Sequence, residues 1–443
     1  MLRTPNGQIT DQRLATYARK YDMSCEPTQA NLMEQRINYI ARHEPTVKAF
    51  VDETFDGDRV LDAIALSDER LPLYGLLLGV KDIINVDQFP TRCGSVLPSH
   101  LFGGPQASCV TRLLKAGAVM VGKTVTAEFA VSDPGPTRNP RNLNHTPGGS
   151  SSGSAAAVAA GFCDIALGTQ TSGSVIRPAG YCGTFGYKPS FGRVELDGVL
   201  PYSKSMDHIG LFAKDMPTMA ATLPVLVTDW QNNKDLLANK PIIGVPMGSY
   251  IDLTMPQVRA QFEMIIDAIK HTDAIVKPII LCDDIASHND THDLIANAEL
   301  YQIHKSWVKD YRDIYKPMSR AALEFGQNVS KKILTESLKK ARKVQSGMKQ
   351  LMVEHAIDAW IAPVAPDLAP KGIGSTGDFR MNAIWSFTGL PTITFPTGTN
   401  NQNLPYSVQI VGRFGRDESL LSISRYLHQA IGVGALPLAW SLE

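Results

Sequence analysis

The chain has 443 residues, 44% of them hydrophobic, and its 43 Lys plus Arg balance 43 Asp plus Glu, so the formal net charge is zero. Nucleic-acid-binding proteins usually carry a basic excess, so this balance argues against nucleic acid or a membrane surface as the main partner. The length and the apolar share permit a large core, and single-sheet α/β folds do reach this size.

The N-terminal segment and the cysteines indicate the compartment. The first residues, MLRTPNGQITDQRLATYARKY, lack the apolar stretch of an export signal, and no segment approaches the ~20 apolar residues that span a bilayer. Six scattered cysteines form neither a C-x-x-C pair nor a His/Cys cluster: Cys25, Cys93, Cys109, Cys163, Cys182 and Cys282. This usage is typical of free thiols in a reducing compartment, so we expect a cytoplasmic protein. Because no ligand cluster appears, we separately expect that neither a metal nor an organic cofactor is needed.

The predicted elements alternate between helices and buried strands. Thr28 is expected to cap a helix that His43-Glu44-Pro45 then breaks. The run Leu73–Val86 is nearly all apolar around Lys81, as in a strand that is buried on both faces. Further strands are predicted at Val119–Gly122, Ile165–Gly168, Ile242–Pro246, Ala359–Val364, Thr392–Phe395 and Ser407–Val411. Helical stretches separate them, which predicts an α/β fold.

Two stretches rich in serine and glycine stand out. Residues 146–161 read TPGGSSSGSAAAVAAG, a flexible loop that exposes hydroxyl groups and then enters an Ala-rich helix whose N-terminus favours negative charge. Residues 165–179 read IALGTQTSGSVIRPA, an apolar strand followed by small residues. Backbone N–H groups of such a loop can converge on one point, as an oxyanion hole requires.

Lys81 is the third unusual feature, because it interrupts an apolar run. A buried lysine must reach solvent or lose its proton. Lowering its pKa from ~10.4 to ~7 corresponds to about 4–5 kcal/mol, which burial can supply.

Together these three elements resemble the amidase signature family. That family combines an upstream Lys-Asp, a Gly-Gly-Ser-Ser loop and, 24 residues later, a Gly-Thr-x-Thr-x-Gly-Ser loop. Here Gly79-Val80-Lys81-Asp82 precedes Ser150 and Ser174, which are 24 residues apart. The resemblance covers about residues 46–210 and resumes at Ser375–Arg413.

The resemblance implies a role for each matching residue. Ser174 corresponds to the nucleophile, Ser150 to the bridging serine after a cis Gly149–Ser150 bond, and Lys81 to the terminal base. The implied oxyanion hole consists of the backbone N–H groups of Thr171, Ser172, Gly173 and Ser174.

Departures from the common pattern concern the second loop. Gln170 stands where Asp is usual and Ser172 where Gly is usual, and Arg177 comes one place later than the usual arginine. The glutamine and the shifted arginine resemble the malonamidase branch, where that arginine binds the free carboxylate of the substrate. Arg177 is therefore a candidate substrate-binding residue, and a loop-fixing ion pair is an equal alternative.

The resemblance further implies the architecture and the reaction. A large mixed β-sheet flanked by helices on both faces is expected, in one domain that spans residues 1–443. Its parts are an N-terminal helical segment (1–70), the signature core (71–225), a helical, more variable region (226–370) and a C-terminal return to the sheet (371–443). The expected substrate is a small amide, with anilides, esters or carbamates as related ones, and self-association as a homodimer is left open.

Three other interpretations remain open at this point. The first is the glutaminase-type subunit of a tRNA amidotransferase complex, against which the zero net charge, Gln170 and the shifted Arg177 argue. The second is a non-catalytic binding protein with the same fold. The third uses Gly149-Ser150-Ser151-Ser152-Gly153 as a G-x-S-x-G nucleophile elbow with Ser151 as nucleophile and a downstream histidine such as His208 or His428.

Overall fold

One ten-stranded sheet organises the protein. The computed structural model describes residues 29–232, 240–432 and 436. The strand order is β2-β1-β3-β5-β4-β9-β10-β8-β6-β7. The strands are β1 (Leu77–Lys81), β2 (Val119–Thr124), β3 (Ile165–Gln170), β4 (Phe185–Lys188), β5 (His208–Ala213), β6 (Ile242–Met247), β7 (Ile275–Ile280), β8 (Ala359–Pro363), β9 (Thr392–Thr399) and β10 (Pro405–Gly412).

Helices make up most of the remaining structure. They are α1 (Gln29–Val47), α2 (Gly57–Leu66), α3 (Ser108–Lys115), α4 (Ser152–Ala159), α5 (Ile176–Cys182), α6 (Met216–Leu226), α7 (Pro256–Lys270), α8 (Ile285–His304), α9 (Val308–Tyr311), α10 (Pro317–Gln327), α11 (Lys331–Glu354), α12 (Arg380–Phe387) and α13 (Asp417–Ile431). Short 3₁₀ turns lie at Ser99–Leu101, Glu128–Ala130, Gly248–Leu253 and Arg312–Ile314.

The sheet is mixed, as the resemblance implies. Strand β1 pairs in parallel with β2 and β3, and β6 pairs in parallel with β7 and β8. The central pairs β3–β5, β5–β4, β4–β9, β9–β10 and β10–β8 are antiparallel. Segments 71–225, 226–370 and 371–443 all contribute strands to this one sheet. The division into those segments stays a prediction.

Helices cover both faces of the sheet around β1 and β3. Leu77 packs in the hydrophobic cluster that includes residues of α1, α2 and α4. Its neighbour Leu78 packs in the cluster formed with α3, α6 and α7. Successive side chains of a strand point to opposite faces, so both must be covered, and every residue of β1 is buried. The predicted fold class is confirmed.

All six strands predicted after Val86 are present, with small differences at their ends. The apolar run Leu73–Val86 forms a strand only over Leu77–Lys81, so that prediction was too long. Strands β4, β5 and β7 were missed. Strand β4 has four residues including Gly186, and β7 contains Pro278, which is tolerated because β7 lies at the edge of the sheet.

The first predicted helix exists, but its predicted end was wrong. Helix α1 continues through Pro45 to Val47. Proline in the last turn removes a single N–H donor, and the Glu44 carboxylate accepts the N–H groups of Ala49 and Phe50 just beyond the helix. The predicted cap Thr28 lies outside the described residues.

The cysteines and the helices can be compared with the sequence-based expectations in the described part of the chain. Five cysteines there are free, and four of them are buried: Cys93, Cys109, Cys163 and Cys182. In the same residues no helix is both long and apolar enough to cross a bilayer.

Helix α4 is the most tightly enclosed element near the site. Each residue from Ser152 to Ala159 is buried, so the Ala-rich sequence is explained by packing inside the fold. Gly153 allows the closest approach, because a Cβ atom there would overlap the carbonyl oxygen of Ala49 and the backbone nitrogen of Val125. Because these atoms belong to the main chain, they cannot move aside as a flexible side chain could.

We predict that Gly153→Ala destabilises the protein by about 3 kcal/mol or more, because the added methyl group collides with main chain rather than with flexible side chains. Gly347→Ala is the matched control. It is also a helical glycine, but nothing lies within 4 Å of its added methyl group. That substitution should gain up to about 1 kcal/mol from helix propensity. Denaturant unfolding measures both, and equal stabilities would contradict the packing argument.

Candidate active site

Lys81 lies at the carboxyl end of β1, beside the end of the parallel strand β3. Its Nζ is 2.7 Å from Ser150 Oγ and 2.8 Å from Thr169 Oγ1. The β1–β3 register pairs Val80 with Leu167, which carries Lys81 to the level of Gly168, one residue before Thr169. The parallel strands therefore bring the lysine and the serine loop together at their carboxyl ends.

Burial controls the protonation of Lys81. The side chain is fully buried, and its loss of hydration lowers the pKa of Lys81 to about 7, against the opposing effects of Asp207 and Cys93. Among the described residues, its partners within hydrogen-bonding distance are hydroxyl and carbonyl groups, without a carboxylate. Near neutral pH a substantial fraction of this amine is neutral and can accept a proton.

Asp82 pairs with another lysine. The Asp82 carboxylate lies 3.0 Å from Lys123 Nζ, and both side chains are buried. Burial raises the pKa of Asp82, while Lys123 and the N–H groups of Arg92 and Gly94 act in the opposite direction. Adjacent residues at a strand end point apart, so Asp82 does not hold the proton on Lys81.

Ser150 connects Lys81 to the first serine loop. The Gly149–Ser150 peptide bond is cis, as the resemblance implies. The Ser150 side chain is fully buried, and its carbonyl accepts the N–H of Ala127 at 3.0 Å. These contacts leave the hydroxyl directed toward Lys81 Nζ.

Ser174 lies on the second loop, just before α5. The residue is buried but for 8% of its surface, and its carbonyl accepts the N–H of Ser151 at 3.4 Å. Within the described chain Ser174 Oγ makes no hydrogen bond, so the two serine loops meet through the main chain while the Ser150–Ser174 hydroxyl contact is not formed.

The loop before Ser174 has free donors. Among the described hydrogen bonds, none is donated by the backbone N–H of Thr171, Ser172, Gly173 or Ser174. Gln170 closes this loop, since its Oε1 accepts the N–H groups of Val175 and Ile176 at 2.8 and 2.9 Å. Such an arrangement can stabilise an oxygen that gains negative charge.

Arg177 is buried without a carboxylate within ion-pair distance in the part of the chain that the structure describes. Its Nη2 donates to the Gly149 carbonyl at 2.7 Å and to Thr376 Oγ1 at 3.3 Å. Nε and Nη1 are buried and make no hydrogen bond. Burial lowers the pKa of Arg177, and Tyr181 and Asp378 oppose this. The loop-fixing ion pair is thus absent here, and two donors remain unused.

A surface pocket adjoins the Arg177 region. It has a volume of about 470 Å³, and Tyr181 and Asp378 line it. Trp385 is a buried core residue whose Nε1 donates to the phenol oxygen of Tyr250 at 2.9 Å.

Two participants near the site were not identified from the sequence. The first is Thr169, whose hydroxyl contacts Lys81. It is the first threonine of the Gly-Thr-x-Thr motif, so the sequence could have indicated it. Asp207 accepts the Thr171 hydroxyl at 2.6 Å, and burial raises the pKa of Asp207 to about 6. It precedes the undetected strand β5, so no local pattern pointed to it.

The nucleophile-elbow interpretation of Ser151 is wrong. Ser151 is fully buried, and its hydroxyl donates to the Thr169 carbonyl at 3.2 Å. His208 Nδ1 contacts the Gln170 carbonyl instead of a serine. Across residues 29–232 and 240–432, no three His, Cys, Asp or Glu side chains come together as metal ligands.

Known proteins resemble this chain over nearly its whole length. A family model described as Amidase matches residues 31–421. A glutamyl-tRNA(Gln) amidotransferase subunit of Synechococcus sp. strain RCC307 is 32% identical over 457 residues, covering 91% of this chain and 94% of that protein. A crystal structure of an amidase superposes with a TM-score of 0.80 at 27% identity, covering 95% of this chain and 99% of that one. The corresponding glutamyl-tRNA(Gln) amidotransferase subunit of Thermotoga maritima has a TM-score of 0.76 at 26% identity, covering 96% and 97%.

Proposed function

The chain belongs to the amidase family, and we propose that it hydrolyses the C–N bond of a small amide through an acyl-enzyme on Ser174. The observation that carries this proposal is the contact between Lys81 Nζ and Ser150 Oγ at 2.7 Å, made by a fully buried lysine whose pKa is lowered to about 7. A neutral amine in contact with a serine hydroxyl is what a general base needs.

In the first half of the reaction, neutral Lys81 takes the proton of Ser150, which takes the proton of Ser174. Ser174 Oγ attacks the amide carbonyl carbon, and the carbonyl oxygen becomes negatively charged. The relay then returns one proton to the amide nitrogen, the C–N bond breaks and the amine leaves.

In the second half, water replaces the amine. Lys81 and Ser150 remove a proton from the water, whose oxygen attacks the acyl carbon. The bond from that carbon to Ser174 Oγ breaks, Ser174 regains its proton and a carboxylic acid is released. The free N–H groups of the loop Thr171–Ser174 stabilise the oxyanion in both halves.

Arg177 gives the proposal a substrate preference. A buried guanidinium with Nε and Nη1 unbonded is costly until an acceptor arrives. A carboxylate on the acyl part of the substrate fits, because two of its oxygens match two guanidinium N–H groups. We therefore propose acyl groups that carry a carboxylate or a strongly polar end.

A second candidate is the glutaminase-type subunit of an amidotransferase complex. The observation in its favour is the resemblance to the glutamyl-tRNA(Gln) amidotransferase proteins. Hydrolysis of simple amides by the purified single chain supports the amidase, whereas glutamine hydrolysis only with partner proteins supports the alternative. We also propose a cytoplasmic location, which the free thiols favour.

We predict that Ser174→Ala abolishes turnover, because it removes the nucleophile. Ser150→Ala and Lys81→Ala should each lower kcat by about 10²–10⁴-fold, since they remove proton transfer alone. The Ser150→Ala/Lys81→Ala double variant should be little worse than the worse single variant. Steady-state kinetics on one amide measure all four, and fully additive losses would refute the relay.

We predict that kcat/KM rises with pH through about 7, because the Lys81 amine must be neutral to accept a proton. Below that pH the ammonium form dominates and activity falls. Lys188→Met is the control: burial also lowers the pKa of Lys188 to about 7, but its Nζ donates to the Pro189 and Leu390 carbonyls. Folded Lys188→Met should keep the ascending limb, and a limb that disappeared there would contradict the assignment to Lys81.

We predict that Arg177→Ala lowers kcat/KM selectively for a half-amide that bears a carboxylate. The lost bidentate pair corresponds to about 2 kcal/mol, or ~30-fold, relative to a neutral amide of matched size. Arg177→Lys should be nearly as poor, because a lysine lacks the planar fork. An equal loss on both substrates together with a lower Tm would show that Arg177 holds the loop instead.

A further inference from the structure

We propose that three side chains outside the two serine loops, His208, His292 and Ser386, aim the oxyanion N–H groups by holding the carbonyl groups on the reverse side of the loop. This inference rests on the proposed function for its catalytic meaning. The three residues come from strand β5, helix α8 and helix α12. They are positioning residues, since they act through the main chain.

Peptide geometry links the two sides of the loop. The peptide unit is planar and trans, so the C=O of one residue points away from the N–H of the next. Holding the carbonyl of Ser172 therefore fixes the direction of the Gly173 N–H. The carbonyls of Gln170 and Thr171 fix the N–H groups of Thr171 and Ser172 in the same way.

Each of these carbonyls has its own donor. His208 Nδ1 lies 3.2 Å from the Gln170 oxygen. His292 Nε2 lies 3.1 Å from the Thr171 oxygen. Ser386 Oγ donates to the Ser172 oxygen at 2.6 Å. Three consecutive peptide units are thus held from behind, while their N–H groups stay free in front.

The Ser386 hydroxyl has a defined direction. Gln170 Nε2 donates to Ser386 Oγ at 2.9 Å, and the Ser386 hydroxyl donates its hydrogen bond to the Ser172 carbonyl. Gln170 Oε1 at the same time accepts the N–H groups of Val175 and Ile176. One side chain therefore fixes both ends of the loop, and it needs the amide donor to do so.

His292 is held by two polar contacts and by aromatic packing. A carbonyl oxygen only accepts, so Nε2 must carry a hydrogen. Nδ1 lies 2.9 Å from a carboxylate oxygen of Asp293, and the rings of Phe379 and Phe387 pack around the imidazole. The ring is buried, so it cannot turn away from the loop without breaking this packing.

The first test concerns Ser386. Loss of a whole oxyanion donor costs about 10²–10³-fold in kcat, so a misdirected donor in Ser386→Ala should cost about 10-fold or more with KM little changed. Ser386→Thr keeps the hydroxyl and should restore most of kcat. Thr388→Val is the control, because that buried hydroxyl next to the same helix bonds to the Ile384 carbonyl of the helix itself.

Gln170→Glu tests the direction of the proton. Glutamate has nearly the same shape as glutamine, but its carboxylate cannot donate a hydrogen bond to Ser386. The Ser386 hydroxyl must then donate its single hydrogen bond either to the glutamate or to the Ser172 carbonyl. The loss of kcat should match or exceed that of Ser386→Ala. In the Ser386→Ala background the same change should cost less than it does alone, because the shared hydroxyl is already gone.

The corresponding test on α8 compares two buried histidines. His292→Gln retains an N–H donor and should keep most of kcat, whereas His292→Leu should lose about 10-fold or more. His304→Leu is the control, since His304 lies on the same helix but contacts Tyr315 Oη.

An aldehyde inhibitor, which forms an oxyanion on Ser174, should bind Ser386→Ala and His292→Leu more weakly by about the same factor.

The outcomes separate the inference from the proposed function. If wild type hydrolyses amides while Ser386→Ala and His292→Leu match their controls in kcat and aldehyde affinity, the positioning role is wrong and the amidase stands. If wild type hydrolyses no amide, the function fails. Crystal structures then decide the positioning role, since unchanged Ser172 and Gly173 peptide planes in Ser386→Ala overturn it and rotated planes support it.

Discussion

The burial of the Lys81 amine is the constraint on which the rest of the site depends. A lysine out of water loses its proton near neutral pH only if no carboxylate holds the charge in place. The structure meets this condition by surrounding Nζ with the hydroxyls of Ser150 and Thr169. The neighbouring Asp82 is neutralised by Lys123 in a separate buried pair. The first serine loop brings a hydroxyl to this amine, and the second loop leaves its N–H groups free.

Close packing of small residues makes that approach available. Helix α4 lies fully buried between the strands and the N-terminal helices, and at Gly153 the main chains approach so closely that no side chain fits. This packing holds the first serine loop in place next to Lys81. On the second loop the polar side chains around Gln170 replace such packing, because a loop that must leave its N–H groups free needs its carbonyl groups bonded.

The fold was predictable where the hydrophobic pattern is local. Strands β1, β2, β3, β6, β8, β9 and β10 each contain a short stretch rich in apolar or β-branched residues, which predicts a strand. Strand β5 contains such a stretch as well and was nevertheless missed. Strand β4 is too short for a pattern, and β7 contains Pro278, which is acceptable only at the edge of a sheet. Just beyond the end of α1, which continues past Pro45, the Glu44 carboxylate accepts the N–H groups of Ala49 and Phe50, and no helix propensity describes such a contact.

The sequence by itself determined the family and pointed to Lys81, Ser150 and Ser174, because motif spacing and an isolated charge in an apolar run are local properties. Only the tertiary structure decided which side chains hold the second loop. Asp207, His292 and Ser386 reach it from distant segments, and their polar groups resemble any others in the sequence. It also decided that Arg177 has no carboxylate partner among the described residues, since ion pairing depends on three-dimensional distance rather than on neighbours along the chain.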